Sequence, residues 1–230
     1  MSLAPDLDIF SLGREASAKA RMLFEGRAVF VSARRLQPDG SWSGPAEASC
    51  GLVDEEVAQT RGGLQLVREA GANAILCSLD GAVAGEALAL GLRALVRVPF
   101  AADETADLRR GRLDRLADLL GRLPGIDGVV PVPVGEAQGL DTLAFFAVCR
   151  QASAQAHLVV DLESFGHKLG QLCLSFGADE IVGSIVGQRA LRLGARASSN
   201  EITRDEVALL VRAAGFLPFE RQSDGKTVAL

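Results

Sequence analysis

Helical stretches alternate with short apolar runs along most of the chain. From residue 54 onward, each amphipathic stretch ends in a Gly or Asn break that leads into a short apolar run. Runs of Val, Ile and Leu without polar alternation are typical of strands covered on both faces, as in a parallel sheet. The pattern predicts the helix-then-strand pairs 55–70 with 74–79, 83–92 with 94–100, 105–123 with 128–134, 140–154 with 157–162, 165–176 with 181–186, and 204–214 with 216–220.

An opening helix over 12–23 and a strand over 28–33 complete the pattern, which gives about seven strands. Strand after helix after strand, with short connections, is typical of a (β/α) barrel or of an open doubly wound sheet. A full eight-unit barrel takes about 250 residues. The 230 residues therefore predict an α/β fold of the TIM type, shortened or incomplete. No linker or shift in composition divides the chain, so we expect one domain over residues 1–230.

Composition excludes several functional classes. With 48% hydrophobic residues and a mean hydropathy of +0.21, the chain can bury a large core and is not a disordered protein. The net charge is −5, and the arginines of residues 109–115 lie among five acidic residues between 103 and 118. This charge pattern argues against nucleic acid or an anionic membrane surface as a partner.

The cysteines and the apolar runs indicate a cytoplasmic protein. No apolar run approaches the roughly 18 residues that span a bilayer, and the first residues lack a basic flank followed by an apolar core. The four cysteines are widely scattered, as expected where thiols stay reduced. We expect a cytoplasmic location and no membrane partner.

Motifs for common cofactors are missing from the sequence. It has no Gly-x-Gly-x-x-Gly after a strand and no Walker-type loop. With only His157 and His167, a three-histidine metal site is impossible, and no cysteine pair has the spacing of metal ligands. We therefore predict neither a metal ion nor a cofactor.

Polar residues that we place just past the carboxyl ends of strands are the remaining candidates, because barrel sites form there. They are Arg34, Arg35, Asp80, Glu136, Asp161, Glu163, His167, Asp179 and Glu180. The predicted ligand-binding residues are Arg34, Asp80, Glu163, His167 and Asp179.

Asp161, Glu163 and His167 form the most informative group of the set. Carboxylates beside an imidazole can act as an acid–base pair. The same residues can instead cap the following helix, because acidic groups stabilise its positive end. The sequence leaves both interpretations open.

The carboxyl region of the chain resembles a known group of enzymes. The resemblance rests on residues 172–180 (LCLSFGADE), continuing through 183–184 and 193–195, on 166–171 upstream and on 202–221. These segments are similar to aminofutalosine synthase, cyclic dehypoxanthine futalosine cyclase and FO synthase, which are radical S-adenosylmethionine enzymes. The similarity covers about residues 126–221, and residues 12–31 resemble the helix and strand that lead to the cluster loop of the family.

The segment after the first strand departs from that family. The family holds a [4Fe–4S] cluster there with three cysteines spaced Cys-x-x-x-Cys-x-x-Cys. Here residues 35–45 read RLQPDGSWSGP and Cys50 is the nearest thiol, so a single sulfur ligand replaces three. A Glu-Glu pair of the family is replaced by Gly187-Gln188. The resemblance therefore implies a relative that has lost its cluster and its radical chemistry.

Three functional hypotheses remain open. The first is a cluster-less relative that binds a small polar metabolite, or a menaquinone-pathway enzyme, in or near menaquinone biosynthesis. The second is a cluster-independent lyase or isomerase that uses Asp161, Glu163 and His167 for proton transfer. The third is an interaction subunit whose barrel mouth is filled by side chains and whose helices expose an apolar patch.

Overall fold

A computed structural model describes residues 8–135, 139–153, 155–187 and 201–230. Its strands are β1 (Arg27–Leu36), β2 (Trp42–Ser43), β3 (Cys50–Asp54), β4 (Ala74–Cys77), β5 (Arg93–Phe100), β6 (Gly128–Pro133), β7 (His157–Asp161), β8 (Glu180–Gly183), β9 (Ile185–Val186), β10 (Ile202–Thr203), β11 (Leu217–Arg221) and β12 (Thr227–Ala229). Its helices are α1 (Ile9–Leu23), α2 (Glu55–Thr60), α3 (Leu64–Glu69), α4 (Ala84–Ala89), α5 (Ala106–Arg122), α6 (Gly139–Ala152), α7 (Leu162–Leu174) and α8 (Arg204–Ala213).

Seven parallel strands close into a barrel in the order β1-β3-β4-β5-β6-β7-β8. The barrel closes because β8 pairs with β1, with Val29 opposite Glu180. Helices connect the strands on the outside, except that β2 lies in the connection from β1 to β3, and α1 precedes the first strand. The predicted TIM-type (β/α) barrel is therefore confirmed, in a closed form with seven strands.

The seven barrel strands are not the seven that the sequence predicts. β3 belongs to the barrel, although no strand is predicted there. The predicted strand at 216–220 is β11, which pairs in parallel with the first half of β1 and carries β12 on its other edge. The predicted helix at 55–70 is interrupted by Gly62 and Gly63, whose φ angles of +90° and +113° break a helix.

Apolar side chains fill the middle of the barrel. They are Val29, Val31, Ala33, Cys50, Leu52, Ala74, Leu76, Leu95, Val130, Val159 and Val182. Side chains alternate along a strand, so residues two positions before or after this layer also face inward. Charged residues hold these positions at both ends, for example Glu180 before Val182 and Asp161 after Val159. The barrel therefore has an apolar centre between two polar ends.

A larger apolar core lies between the strands and the helices. It includes the stacked rings of Phe100 and Phe145, whose centroids are 4.4 Å apart. The last helix, α8, begins with the predicted capping box, in which Thr203 and Glu206 satisfy each other's backbone amides. None of the helices that the structure describes is both long enough and apolar enough to cross a bilayer.

Candidate functional site

Arg35 joins two carboxylates at the carboxyl end of the barrel, which we call the mouth. Its Nη2 donates to Asp161 Oδ2 at 2.8 Å, and its Nε donates to Glu163 Oε2 at 3.0 Å. Ser184 Oγ donates to the other oxygen of Glu163 at 2.9 Å. Three different elements, namely β1, the β7–α7 junction and the end of β8, thus supply one connected polar cluster.

Local structure fixes Asp161 in this cluster. It is the N-cap of α7, and its Oδ1 accepts the amide of Glu163 at 3.1 Å. Ser164 Oγ donates to Oδ2 of Asp161 at 3.1 Å. Asp161 therefore caps α7, as one of the two interpretations expects, and pairs with Arg35 at the same time. Proton transfer between this carboxylate and His167 stays a prediction.

Burial and charge shift the pKa values of this cluster. Burial raises the pKa of Asp161, although Arg35 opposes that shift. Burial also opposes the charge of Arg35, but Asp161, Glu163 and Asp54 outweigh it and raise the pKa of the guanidinium. At neutral pH Arg35 is therefore charged. Its charge offsets the free-energy cost of ionising the buried carboxyl group of Asp161.

A second ion pair lies at the same end of the barrel. Arg97 Nη1 is 3.1 Å from Asp54 Oδ1, and its Nη2 is 3.6 Å from Glu56 Oε1. Arg97 and Asp54 are more accessible than Arg35 and Asp161: their side chains are 26% and 36% exposed, against 18% and 12%. Together the two pairs present separate positive and negative groups to a molecule at the mouth.

Two of the predicted ligand-binding residues lie away from this cluster. Arg34 is on the opposite face of β1 from Arg35, with its guanidinium 4.4 Å above the ring of Trp42. Asp80 is exposed in the turn after β4, where it accepts bonds from Ser78 Oγ at 2.8 Å and the Ala82 amide at 2.9 Å. These bonds lower the pKa of Asp80 and stabilise the turn.

The other predicted positions divide between the two ends. Glu163 is in the mouth cluster, and His167 is half-buried on α7, just after Gly166 interrupts the helix with a φ of +68°. Asp179 precedes β8 and therefore lies at the amino-terminal end, so its placement after a strand was wrong. Glu136, residues 188 and 193–195 and the other residues of the segment 188–200 lie outside the described residues.

A short hairpin occupies the segment that follows β1. β2 pairs with β1 in antiparallel orientation, with Trp42 opposite Leu36 and Ser43 opposite Arg35. Asp39 holds the turn by accepting the amide and the hydroxyl of Ser41 at 2.8 and 2.7 Å. This is the position at which the radical enzymes that the chain resembles place their three cysteines.

The thiols of the chain are dispersed and buried. Cys50, Cys77, Cys149 and Cys173 lie on β3, β4, α6 and α7, and all four are free and buried. Burial raises the pKa of Cys50 to about 11 and that of Cys77 to about 12. Among the described residues, no group of His, Cys, Asp or Glu is arranged to hold a metal ion. This set of donors does not fit a cluster held by three cysteines.

Comparisons with known proteins bear on the fold. No protein-family model and no curated protein matches the sequence. Methylornithine synthase (PylB) is similar in structure, with a TM-score of 0.61, 12% sequence identity, and coverage of 91% of this chain and 89% of that chain. HydG, a maturase of the [FeFe]-hydrogenase, has a TM-score of 0.59 and 10% identity, and the match covers 93% of this chain and 70% of that chain. The chain shares its fold with these two proteins.

The sequence does not identify the whole mouth. Arg97 and Ser184 are absent from the ligand-binding prediction, and Asp54 is not recognised as the end of a strand because β3 is not predicted. The structure also has an apolar groove of about 420 Å³ between α1, α5 and α6, lined by Leu12 and Val148 among others. An interaction subunit would need such a surface, but nothing in the described residues shows what would cover it.

Proposed function

We propose that this protein is a cluster-less relative of the radical S-adenosylmethionine enzymes that binds a small polar metabolite at the mouth of its barrel. The proposal places it in the cytoplasm, in or near menaquinone biosynthesis, as the resemblance to the futalosine-pathway enzymes implies. A menaquinone-pathway enzyme is the partner protein that this placement suggests.

The fold supports the first part of this proposal. PylB and HydG are radical S-adenosylmethionine enzymes, and the chain shares their seven-stranded parallel barrel. At 10–12% identity this likeness concerns the fold alone, and fold does not determine activity. The narrower assignment rests on the sequence resemblance over about residues 126–221.

The hairpin after β1 is the observation that carries the proposal. Holding a [4Fe–4S] cluster from one loop requires several closely spaced thiolates. The segment between β1 and β3 contains no cysteine, and Cys50, the nearest thiol, is buried inside the barrel with a raised pKa of about 11. Closure of this segment by the Trp42–Leu36 pairing supports a barrel that works without a cluster.

The chemistry of the mouth favours binding over proton transfer. Arg35 engages both Asp161 and Glu163, so neither carboxylate is a free base. Arg97 and Asp54 are each partly exposed and can exchange their mutual contact for contacts with a ligand. A ligand that carries both hydrogen-bond donors and acceptors therefore suits this site. A lyase or isomerase built on Asp161, Glu163 and His167 would first require Arg35 to release one carboxylate.

Ligand-dependent thermal stabilisation tests this proposal. The probes are nucleosides and aromatic carboxylates, each added to the wild-type protein and to two variants. Arg97→Met removes a mouth cation, and Arg34→Met removes an arginine on the outer face of the barrel. A ligand present at 100 times its dissociation constant adds about 2.7 kcal/mol to the free energy of unfolding.

We expect such a shift in the melting temperature for the wild type and for Arg34→Met, and its loss in Arg97→Met. A shift of equal size in Arg97→Met would place the ligand elsewhere and contradict the proposal, as would no shift with any probe. Genes for other futalosine-pathway steps beside this one would support the placement in menaquinone biosynthesis.

A further inference from the structure

A polar cavity lies at the opposite end of the barrel from the mouth. It has a volume of about 510 Å³ and lies where the loops before β6 and β7 meet. Leu120, Pro124 and Ala156 form apolar parts of its wall, and Asp127 and His157 are its charged lining residues. This volume is typical of pockets for small molecules. None of the ligand-binding residues predicted from the sequence lines it.

His157 is held rigidly in this cavity. Its Nδ1 contacts Oδ2 of Asp179, whose Oδ1 accepts bonds from Arg150 Nη2 and from the Leu158 amide, both at 2.8 Å. The ring of Phe24 stacks on the imidazole with centroids 4.5 Å apart. These contacts fix the tautomer and the ring plane, as in other histidines oriented by a carboxylate.

The second ring nitrogen of His157 remains available. None of the described residues forms a hydrogen bond with Nε2, and 19% of the side chain is exposed although the residue begins a barrel strand. A histidine that only packed against the end of the barrel would not need an unbonded Nε2 beside a cavity. The structure thus presents one oriented donor or acceptor at this place.

Asp127 offers a complementary atom beside it. Its Oδ2 accepts from Arg93 Nε at 2.6 Å, whereas Oδ1 has no partner within the described part of the chain. The main chains are adjacent because the His157 amide donates to the Asp127 carbonyl at 2.9 Å. With 29% of its side chain exposed, Asp127 can accept a hydrogen bond from a molecule in the cavity.

The charges around the imidazole favour its protonated form. Burial opposes the positive charge, but the bond to Asp179 and the charges of Glu180, Asp179 and Asp127 raise the pKa of His157. The charged groups on the elements around this end are Lys19 on α1, Glu25 before β1, Arg27 on β1, Arg93 on β5, Arg122 at the end of α5, Asp127 before β6, Arg150 on α6, Asp179 and Glu180 at β8, and Arg221 on β11. With six cations against four anions in this group, an imidazolium leaves this end of the barrel positive.

We propose that this cavity binds a small organic carboxylate that carries a neighbouring hydroxyl or amino group. The carboxylate accepts the Nε2 hydrogen of His157, and the hydroxyl or amino group donates to Oδ1 of Asp127. A charged donor opposite a carboxylate gives the stronger of the two bonds. The site is separate from the mouth, so this proposal can be tested independently of the proposed function.

Nuclear magnetic resonance of the imidazole nitrogens tests this site. The chain has two histidines, so His167, which lies on α7 and not in this cavity, is an internal control, and His167→Gln assigns the signals. The probes are L-lactate and L-serine, with acetate as the matched carboxylate that lacks the second donor. The titrations use the full chain at pH 6 and at pH 8.5.

We expect lactate or serine to shift the His157 signal in a saturable way, with a dissociation constant on the order of 1 mM or tighter, and to leave His167 unchanged. Acetate should bind roughly tenfold more weakly, the factor that about 1.4 kcal/mol produces. Asp127→Asn should remove the difference between lactate and acetate. Binding should be weaker at the higher pH, because a rise in pH through the raised pKa of His157 removes the Nε2 hydrogen that the carboxylate accepts.

Three results would overturn the proposal. They are a His157 signal that no probe moves, equal affinities for lactate and acetate in the wild type, and tight binding that persists in His157→Gln. Because the His157 variant removes a buried contact, its fold is checked by circular dichroism. The Asp127→Asn comparison gives an independent test if that variant does not fold.

Discussion

Replacing Arg35 with methionine tests the electrostatic description of the mouth. Methionine keeps an unbranched apolar stem of similar reach but removes the cation that lies 2.8 Å from Asp161 and 3.0 Å from Glu163. The carboxylate of Asp161 is then left in a buried position without a positive partner. Removing one member of a buried ion pair is strongly destabilising for this reason.

The expected magnitude follows from the geometry. Two unit charges about 4 Å apart interact by about 4 kcal/mol at an effective dielectric constant of about 20. Side-chain exposures of 18% for Arg35 and 12% for Asp161 justify a value near this estimate, whereas Glu163, at 34%, adds little because solvent screens it. We expect Arg35→Met to lower the free energy of unfolding by about 3 kcal/mol at pH 7.

The loss should depend on pH in a defined direction. Burial already raises the pKa of Asp161 in the wild type, and removing Arg35 raises it further. A carboxyl group with a raised pKa in the folded state contributes stability that is present at low pH and lost as the pH rises through that pKa. Each additional pKa unit corresponds to about 1.4 kcal/mol, so the deficit of the variant should shrink by at least about that amount between pH 7 and pH 5.

Urea denaturation at the two pH values measures both quantities, and Arg34→Met is the matched control. Arg34 is next to Arg35 in sequence but stacks on Trp42 outside the barrel. Its replacement should cost about 0.5–1 kcal/mol, with no difference between the two pH values. Equal losses for the two variants, or a deficit in Arg35→Met that grows at pH 5, would refute the reasoning.

Three further predictions concern the barrel and its helices. Cys50 and Cys77 should react with a thiol reagent only as fast as the native protein unfolds, because burial raises their pKa values to about 11 and 12. Rapid labelling of either thiol at pH 8 would contradict its buried position. Gly51→Ala should destabilise the barrel by about 1–3 kcal/mol in a denaturation experiment, since an added Cβ would lie 2.5 Å from the Gly71 carbonyl oxygen; Gly111→Ala, at a position with open space, is the control. Thr203→Ala should cost about 1 kcal/mol by loss of the capping box of α8, and an unchanged midpoint would contradict this role.

The sequence predicts the repeated helix–strand units well because their apolar runs are long and their ends are marked by glycine. It misses β3 because this strand has a glycine as its second residue and follows a segment rich in Pro, Gly and Ser. It assigns β11 to the barrel because that strand follows a helix like the others do. Pairing with the first half of β1, which only the tertiary structure specifies, places β11 outside the ring.

The sequence also does not show which side chains point into the mouth. The apolar run before Arg34 and Arg35 is buried on both faces, so no polar alternation indicates which arginine faces inward. The sequence does not predict the cavity at the amino-terminal end, for a different reason. Asp127 precedes a strand and His157 begins one, whereas barrel sites are expected at the carboxyl ends of strands.

Anaerobic reconstitution tests whether this barrel holds an iron–sulfur centre. The purified full chain is incubated with iron, sulfide and reductant, desalted, and assayed for bound iron, for visible absorption and for reductive cleavage of S-adenosylmethionine to 5′-deoxyadenosine. We predict no stoichiometric iron, no charge-transfer band and no 5′-deoxyadenosine. About four irons per chain, together with formation of 5′-deoxyadenosine, would contradict the account.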